Sequence, residues 1–204
     1  MNRAALKKMI LLIFPALLAV SCVSMNTEIS IDGTGRVRAV VDYTVSRYVV
    51  NFGRTDSRDP FIPLPITRDD FAERSRQIQG SNLESHSVRE DEDALYVKAV
   101  VTFRNLKDMG IFFSIPMEQS ARGNGQAVLI TVIDGTGTDI TQETWDLVTP
   151  LFKDDVVTVT VNTPATVISH SHGELSRDKK TVVFKRPMLD LLKTKGKLDW
   201  EIVW

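Results

Sequence analysis

The sequence predicts an α+β fold: a mostly antiparallel, curved β-sheet of about seven or eight strands with three or four short helices. Three observations carry this expectation. Apolar and polar residues alternate with a period of two in several separate runs, and those runs are rich in β-branched residues. The helical signals between them are short, capped and thin in apolar positions.

The first strand signal is Ile29 and Ile31, which share a face and run into Asp32-Gly33-Thr34-Gly35, a turn whose glycines accept positive φ. Val37, Ala39, Val41, Tyr43, Val45 and Val49 then fall on one face, opposite Arg36, Arg38, Asp42, Thr44 and Ser46. That is the pattern of a half-buried antiparallel strand. Arg54 to Pro65, with three prolines and several charges, reads as a loop. Thr67 to Asp70 forms a capping box, with Ile66 placed to staple onto Phe71 and Gly80 placed to end the helix after about Gln79. Its apolar seam, mainly Phe71, Ala72 and Ile78, suits a helix lying on a surface.

A strand from Leu83 to Arg89 is expected to pair with one that turns Leu95, Val97, Ala99, Val101 and Phe103 inward. Glu90 to Asp93 between them reads as a solvated hairpin turn, because its spacing matches no calcium loop. Asn105 is placed to cap a short helix from Leu106 to Met109. Ala127 to Ile133, Val156 to Val161 and Thr181 to Lys185 read as strands. A helix is expected over Gln142 to Val148, closed because Thr149 precedes Pro150. Pro187 opens a last helix with Met188, Leu191 and Leu192 inward, and Gly196 ends it. Leu198, Trp200, Ile202 and Trp204 then alternate with Lys197, Asp199 and Glu201, a strand that completes a sheet. Ile31-Asp32-Gly33-Thr34-Gly35 recurs as Ile133 to Gly137, which reads as shared turn chemistry more than as two related halves.

Residues 1–21 read as an export signal: Arg3, Lys7 and Lys8, the apolar run Met9 to Val20, then Ser21 before Cys22. The apolar run falls well short of the ~20 residues that span a bilayer. Cys22 is the only cysteine of the 204 residues, so an exported domain has no internal disulfide. Leu18-Ala19-Val20-Ser21-Cys22 resembles a relaxed lipobox of the kind spirochaetes tolerate, with Cys22 as the lipidated residue. Cleavage after Ser21 without lipidation also fits the small-x-small rule, but it leaves an unpaired thiol in an oxidising compartment. Lipidation removes that anomaly, and two or three acyl chains hold a protein on a membrane where one does not. The domain expectation is therefore a signal peptide over 1–21 and one exported α+β domain over 22–204.

The leader holds three basic residues and no acidic one, which leaves 22 basic against 26 acidic residues and a net charge of about −4. Nucleic-acid binding needs a basic patch, so no nucleic-acid partner is expected. No phosphate loop, nucleophile elbow or His-Glu-x-x-His motif is present, and carboxylates are scattered. The expectation is a protein that is not an enzyme and uses no cofactor. His170 and His172 would share a face on a strand, but two ligands make a poor metal site and His86 is distant, so no metal is expected. Aromatic residues are the better lead: Trp145, Phe112 and Phe113 are the candidate ligand contacts for an apolar cavity between sheet and helices.

The hairpin Ile29 to Gly35, the strand to Val45 and the later Val101-Thr102-Phe103-Arg104-Asn105-Leu106 resemble bacterial lipoproteins of the LppM-like type. That resemblance implies an exported α+β domain that handles lipids or glycolipids at the cell envelope. Two functions follow as expectations. One is a lipid-anchored envelope lipoprotein binding a lipid or other apolar ligand; the other is a non-catalytic interaction or structural module that meets another envelope protein.

If Cys22 is acylated, Cys22→Ser removes labelling by a fatty-acid analogue and blocks lipoprotein processing. Absence of label on the wild-type chain contradicts the assignment, whatever fraction the protein is found in.

Overall fold

A computed structural model describes residues 23–47, 64–123, 125–136 and 140–204. The leader, Cys22, Val49, most of the proline-rich loop and Gly137 lie outside the described residues. The fold class is α+β, with eleven strands in two sheets and four helices among the described residues. In chain order these are β1 (Val23–Ile31), β2 (Val37–Ser46), α1 (Arg68–Gln77), β3 (Asn82–Glu90), β4 (Ala94–Phe103) and α2 (Leu106–Phe113). There follow β5 (Met117–Arg122), β6 (Gly125–Asp134), α3 (Gln142–Phe152), β7 (Val156–Asn162), β8 (Ser169–His170) and β9 (Glu174–Leu175). The chain closes with β10 (Thr181–Pro187), α4 (Met188–Leu192) and β11 (Lys197–Val203).

The larger sheet runs β3-β4-β2-β1-β7-β10-β9, and the smaller runs β5-β6-β11-β8. Every pairing is antiparallel except β1 with β7, where Thr27 lies opposite Val159. The division into two sheets departs from the single sheet expected. Periodicity tells a strand which face to bury but not which strand lies beside it. Strand β5, Met-Glu-Gln-Ser-Ala-Arg, has only Met117 buried, so it lacks the alternation that would reveal a strand.

The expected faces of β2 and β4 are observed. Val37, Ala39, Val41, Tyr43 and Val45 are buried together with Val97, Ala99, Val101 and Phe103. Outside, Asp42 and Lys98 form an ion pair at 3.5 Å, and Arg38 pairs with Glu84 at 3.1 Å. The acidic turn closes the β3–β4 hairpin through Asp91, whose carboxylate accepts from the amides of Asp93 and Ala94.

Helix α1 has the expected capping box: Thr67 Oγ1 accepts from the Asp70 amide at 3.1 Å, and Asp70 accepts from the Thr67 amide at 2.8 Å. It ends at Gln77, two residues early, because Ile78 turns extended and packs against the core. The Tyr43 hydroxyl donates to the Pro65 carbonyl and His86 Nε2 bonds the Ile66 carbonyl, so two strands tie down the entry to α1. Burial pushes the Tyr43 phenol well above its ordinary range, which keeps it a donor. Arg74 Nη1 reaches across to the Phe112 carbonyl at 2.9 Å and caps the end of α2. Asn105 caps the other end, accepting from the Asp108 amide at 2.8 Å.

Helix α3 continues past the expected stop and contains Pro150. The residue before a proline is disfavoured in helical space but not barred from it, and Pro150 forfeits the one hydrogen bond its N–H would make to the Asp146 carbonyl one turn back. Thr149 Oγ1 donates to the Trp145 carbonyl at 2.7 Å within the same turn. The two Ile-Asp-Gly-Thr runs end strands of different sheets with the same local chemistry. Asp32 and Asp134 each accept from the threonine amide two residues on, and the threonine hydroxyl and amide hold each carboxyl below its ordinary range.

Val41 is 1% exposed and Val101 is fully buried, so truncation of either to Ala should cost about 1–3 kcal/mol in urea denaturation. Val37→Thr should cost about 1 kcal/mol or more by burying a hydroxyl. Arg38→Thr removes only a half-exposed ion pair and should stay within about 1 kcal/mol. Equal losses at Val37 and Arg38 would contradict the register.

Candidate functional site

The candidate site is an apolar cavity of about 210 Å³ between the two sheets. Local periodicity aims its walls. On β1 the alternating residues Met25, Thr27 and Ile29 face it, beside Val41 of β2 and Val157 and Val159 of β7. Across from them, Met109 and Phe113 stand four apart on one face of α2, and Met188 and Leu191 stand three apart on α4. Met117 opens β5, and β6 contributes Ile130, Val132 and Ile133.

The lining has two features. All four methionines that follow Cys22 in the sequence, Met25, Met109, Met117 and Met188, are in it. Unbranched thioethers adapt to irregular contents better than branched side chains do. Of the fifteen lining residues, Thr27 alone has a polar side chain; it is 4% exposed, and its Oγ1 has no hydrogen-bond partner. An unsatisfied buried hydroxyl costs free energy unless something pairs with it. Among the described residues no charged side chain lines the cavity, so they supply no built-in partner for a phosphate or carboxylate.

The three aromatic candidates separate. Phe113 lines the cavity. Phe112 packs beside it in a ring cluster, 4.8 Å from Phe113, 5.3 Å from Phe103 and 6.0 Å from Phe71. Trp145 is not among the lining residues; its half-buried ring lies 5.4 Å from Lys193 Nζ. Cys22, the lipidation candidate, lies outside the described residues.

The histidines do not converge. His170 Nδ1 meets the His172 carbonyl at 3.1 Å, and that carbonyl accepts from Trp200 Nε1 at 2.9 Å. His86 stacks beside Phe71 with centroids 5.1 Å apart. Among the described residues no group of three His, Cys, Asp or Glu side chains could hold a metal ion.

Sequence reasoning missed the methionines. Each is one apolar residue in its own element, and only the fold gathers them. The available signal was weak: Met25 alternates with Ile29 and Ile31, and Met109 precedes Phe113 by one helical turn.

No family model and no curated protein sequence matches the chain. Among solved structures the chain is similar to the folded domain of LppM from Mycobacterium tuberculosis. The identity is 14%, over 90% of this chain and 89% of that one, with a TM-score of 0.49. It also matches the Mu homology domain of Fcho1 from Danio rerio, solved with a bound Eps15 peptide. There the identity is 6%, over 93% of this chain and 81% of that one, with a TM-score of 0.25. Neither match identifies a ligand or a site.

Thr27→Val removes the orphan hydroxyl at nearly constant shape, so it should raise stability by about 1 kcal/mol in urea denaturation. Loss of stability instead would show that the hydroxyl has a partner in solution.

Proposed function

We propose that the chain is a membrane-anchored envelope lipoprotein whose domain binds a lipid or other apolar ligand in the cavity between its sheets. The observation that carries this reading is the cavity itself. Its volume is about 210 Å³ and its lining is almost wholly apolar. The space is partly open, so its walls meet water unless something covers them, and covering apolar surface with hydrocarbon is favourable by ~25 cal/mol per Å². The relaxed lipobox at Cys22 supports the anchored half of the reading.

Non-catalytic interaction remains the alternative, with less to support it. Among the described residues the exposed large apolar side chains are Val88, Ile111, Leu129, Ile168 and Leu175, on β3, α2, β6, the segment before β8, and β9. They are single residues on separate parts of the fold, and single exposed apolar residues are ordinary.

The test is mass spectrometry of small molecules that co-purify with the full chain from native membranes. Ile130→Trp, whose ring would occupy the cavity, serves as the comparison, with circular dichroism to confirm folding. The wild type should retain an apolar molecule near one per chain, and the variant should lose it. Equal retention by both, or none by the wild type together with no saturable uptake of a fluorescent fatty-acyl probe, contradicts the proposal.

A further inference from the structure

We infer that the cavity holds the terminal part of one hydrocarbon chain of a separate lipid, about seven carbons long, with the head group left outside. This rests on the reading of the cavity as an apolar binding site and adds the class and size of what it takes.

Volume sets the length. A methylene group occupies roughly the ~30 Å³ that a water molecule takes in the liquid, so 210 Å³ corresponds to about seven such groups. An apolar cavity of ~150 Å³ is large enough for benzene or xenon, whereas whole drug-sized ligands occupy about 300–1,000 Å³. This space lies between those limits. It is too small for a two-chain lipid and large enough for one chain end.

The lining sets the chemistry. With no charged residue and one polar side chain among its fifteen described residues, it gives nothing to replace the hydration of a phosphate, sugar or carboxylate. Such a group has to remain at the mouth, and only hydrocarbon enters. The four thioethers let the walls follow a bent or branched chain end, which rigid β-branched walls resist. Val157 and Val159 are neighbours on the floor, so a small enlargement at either shortens the available length.

The experiment uses the full chain in phosphatidylcholine nanodiscs with methionine methyl groups labelled for NMR. Fatty acids of six to sixteen carbons are titrated in, and the Ile130→Trp variant, whose ring would occupy the cavity, is the control. The methyl signals of Met25, Met109, Met117 and Met188 should move together and saturably. Affinity at those four signals, corrected for partition into the bilayer, should rise about fourfold per methylene, which is about 0.8 kcal/mol each. It should level off near seven or eight carbons. Val159→Leu should bring the plateau about one carbon earlier, and Val157→Leu provides the same test if that variant does not fold. Affinity that keeps rising to sixteen carbons would overturn the length limit while leaving apolar binding intact. Silence of all four signals at every chain length would overturn the binding reading itself.

Discussion

Strand β1 joins the two halves of the larger sheet and carries the middle of its inner face. On one side it pairs with β2, its neighbour in sequence; on the other it pairs in parallel with β7, far along the chain. Thr27 therefore sits between Val41 and Val159, and the N-terminal hairpins are bonded into the same sheet as the C-terminal ones. A one-residue slip of β1 would turn Met25, Thr27 and Ile29 to the outside and bring Asn26 and Glu28 in. The core, the seating of the smaller sheet and the cavity all depend on that register.

The hollow follows from where the large side chains lie. Over β4, on one flank of β1 and β2, the rings of Phe103, Phe112, Phe113 and Phe71 pack together, with centroid separations from 4.8 to 6.0 Å for three of their contacts. Over β10, on the other flank, Phe184 meets Trp200 of the smaller sheet at 5.4 Å. These bulky contacts flank the cavity, where the strands between them present Val41, Met25, Thr27, Ile29, Val157 and Val159. Backbone ladders resist collapse across the gap, so the middle stays open to an apolar guest. On the proposed function the occupied state is the better packed one.

Much of this fold was legible in the sequence, and the reason is local. The alternation through Val37 to Val45 and Leu95 to Phe103 fixes which face each strand buries. Thr67 with Asp70 and Asn105 with Asp108 announce two helix starts through their own hydrogen bonds. What was not legible depends on partners. Nothing in Met117 to Arg122 reports that it edges a second sheet, and Pro150 reads as a stop because local sequence does not show that packing carries the helix one turn past it. The site divides along the same line. Phe113 could be singled out by residue type, but Trp145, chosen on the same ground, faces Lys193 instead. Four methionines spread from position 25 to position 188 form a group only after the chain has folded.

The most direct measurement is a crystal structure of the protein under xenon pressure, since xenon enters dry apolar cavities of this size. Xenon density enclosed by Met25, Met109, Met117 and Met188, with β1 and β7 paired in parallel, is the expected result. Close-packed methionine side chains with no xenon between the sheets, and no other occupant there, would contradict it.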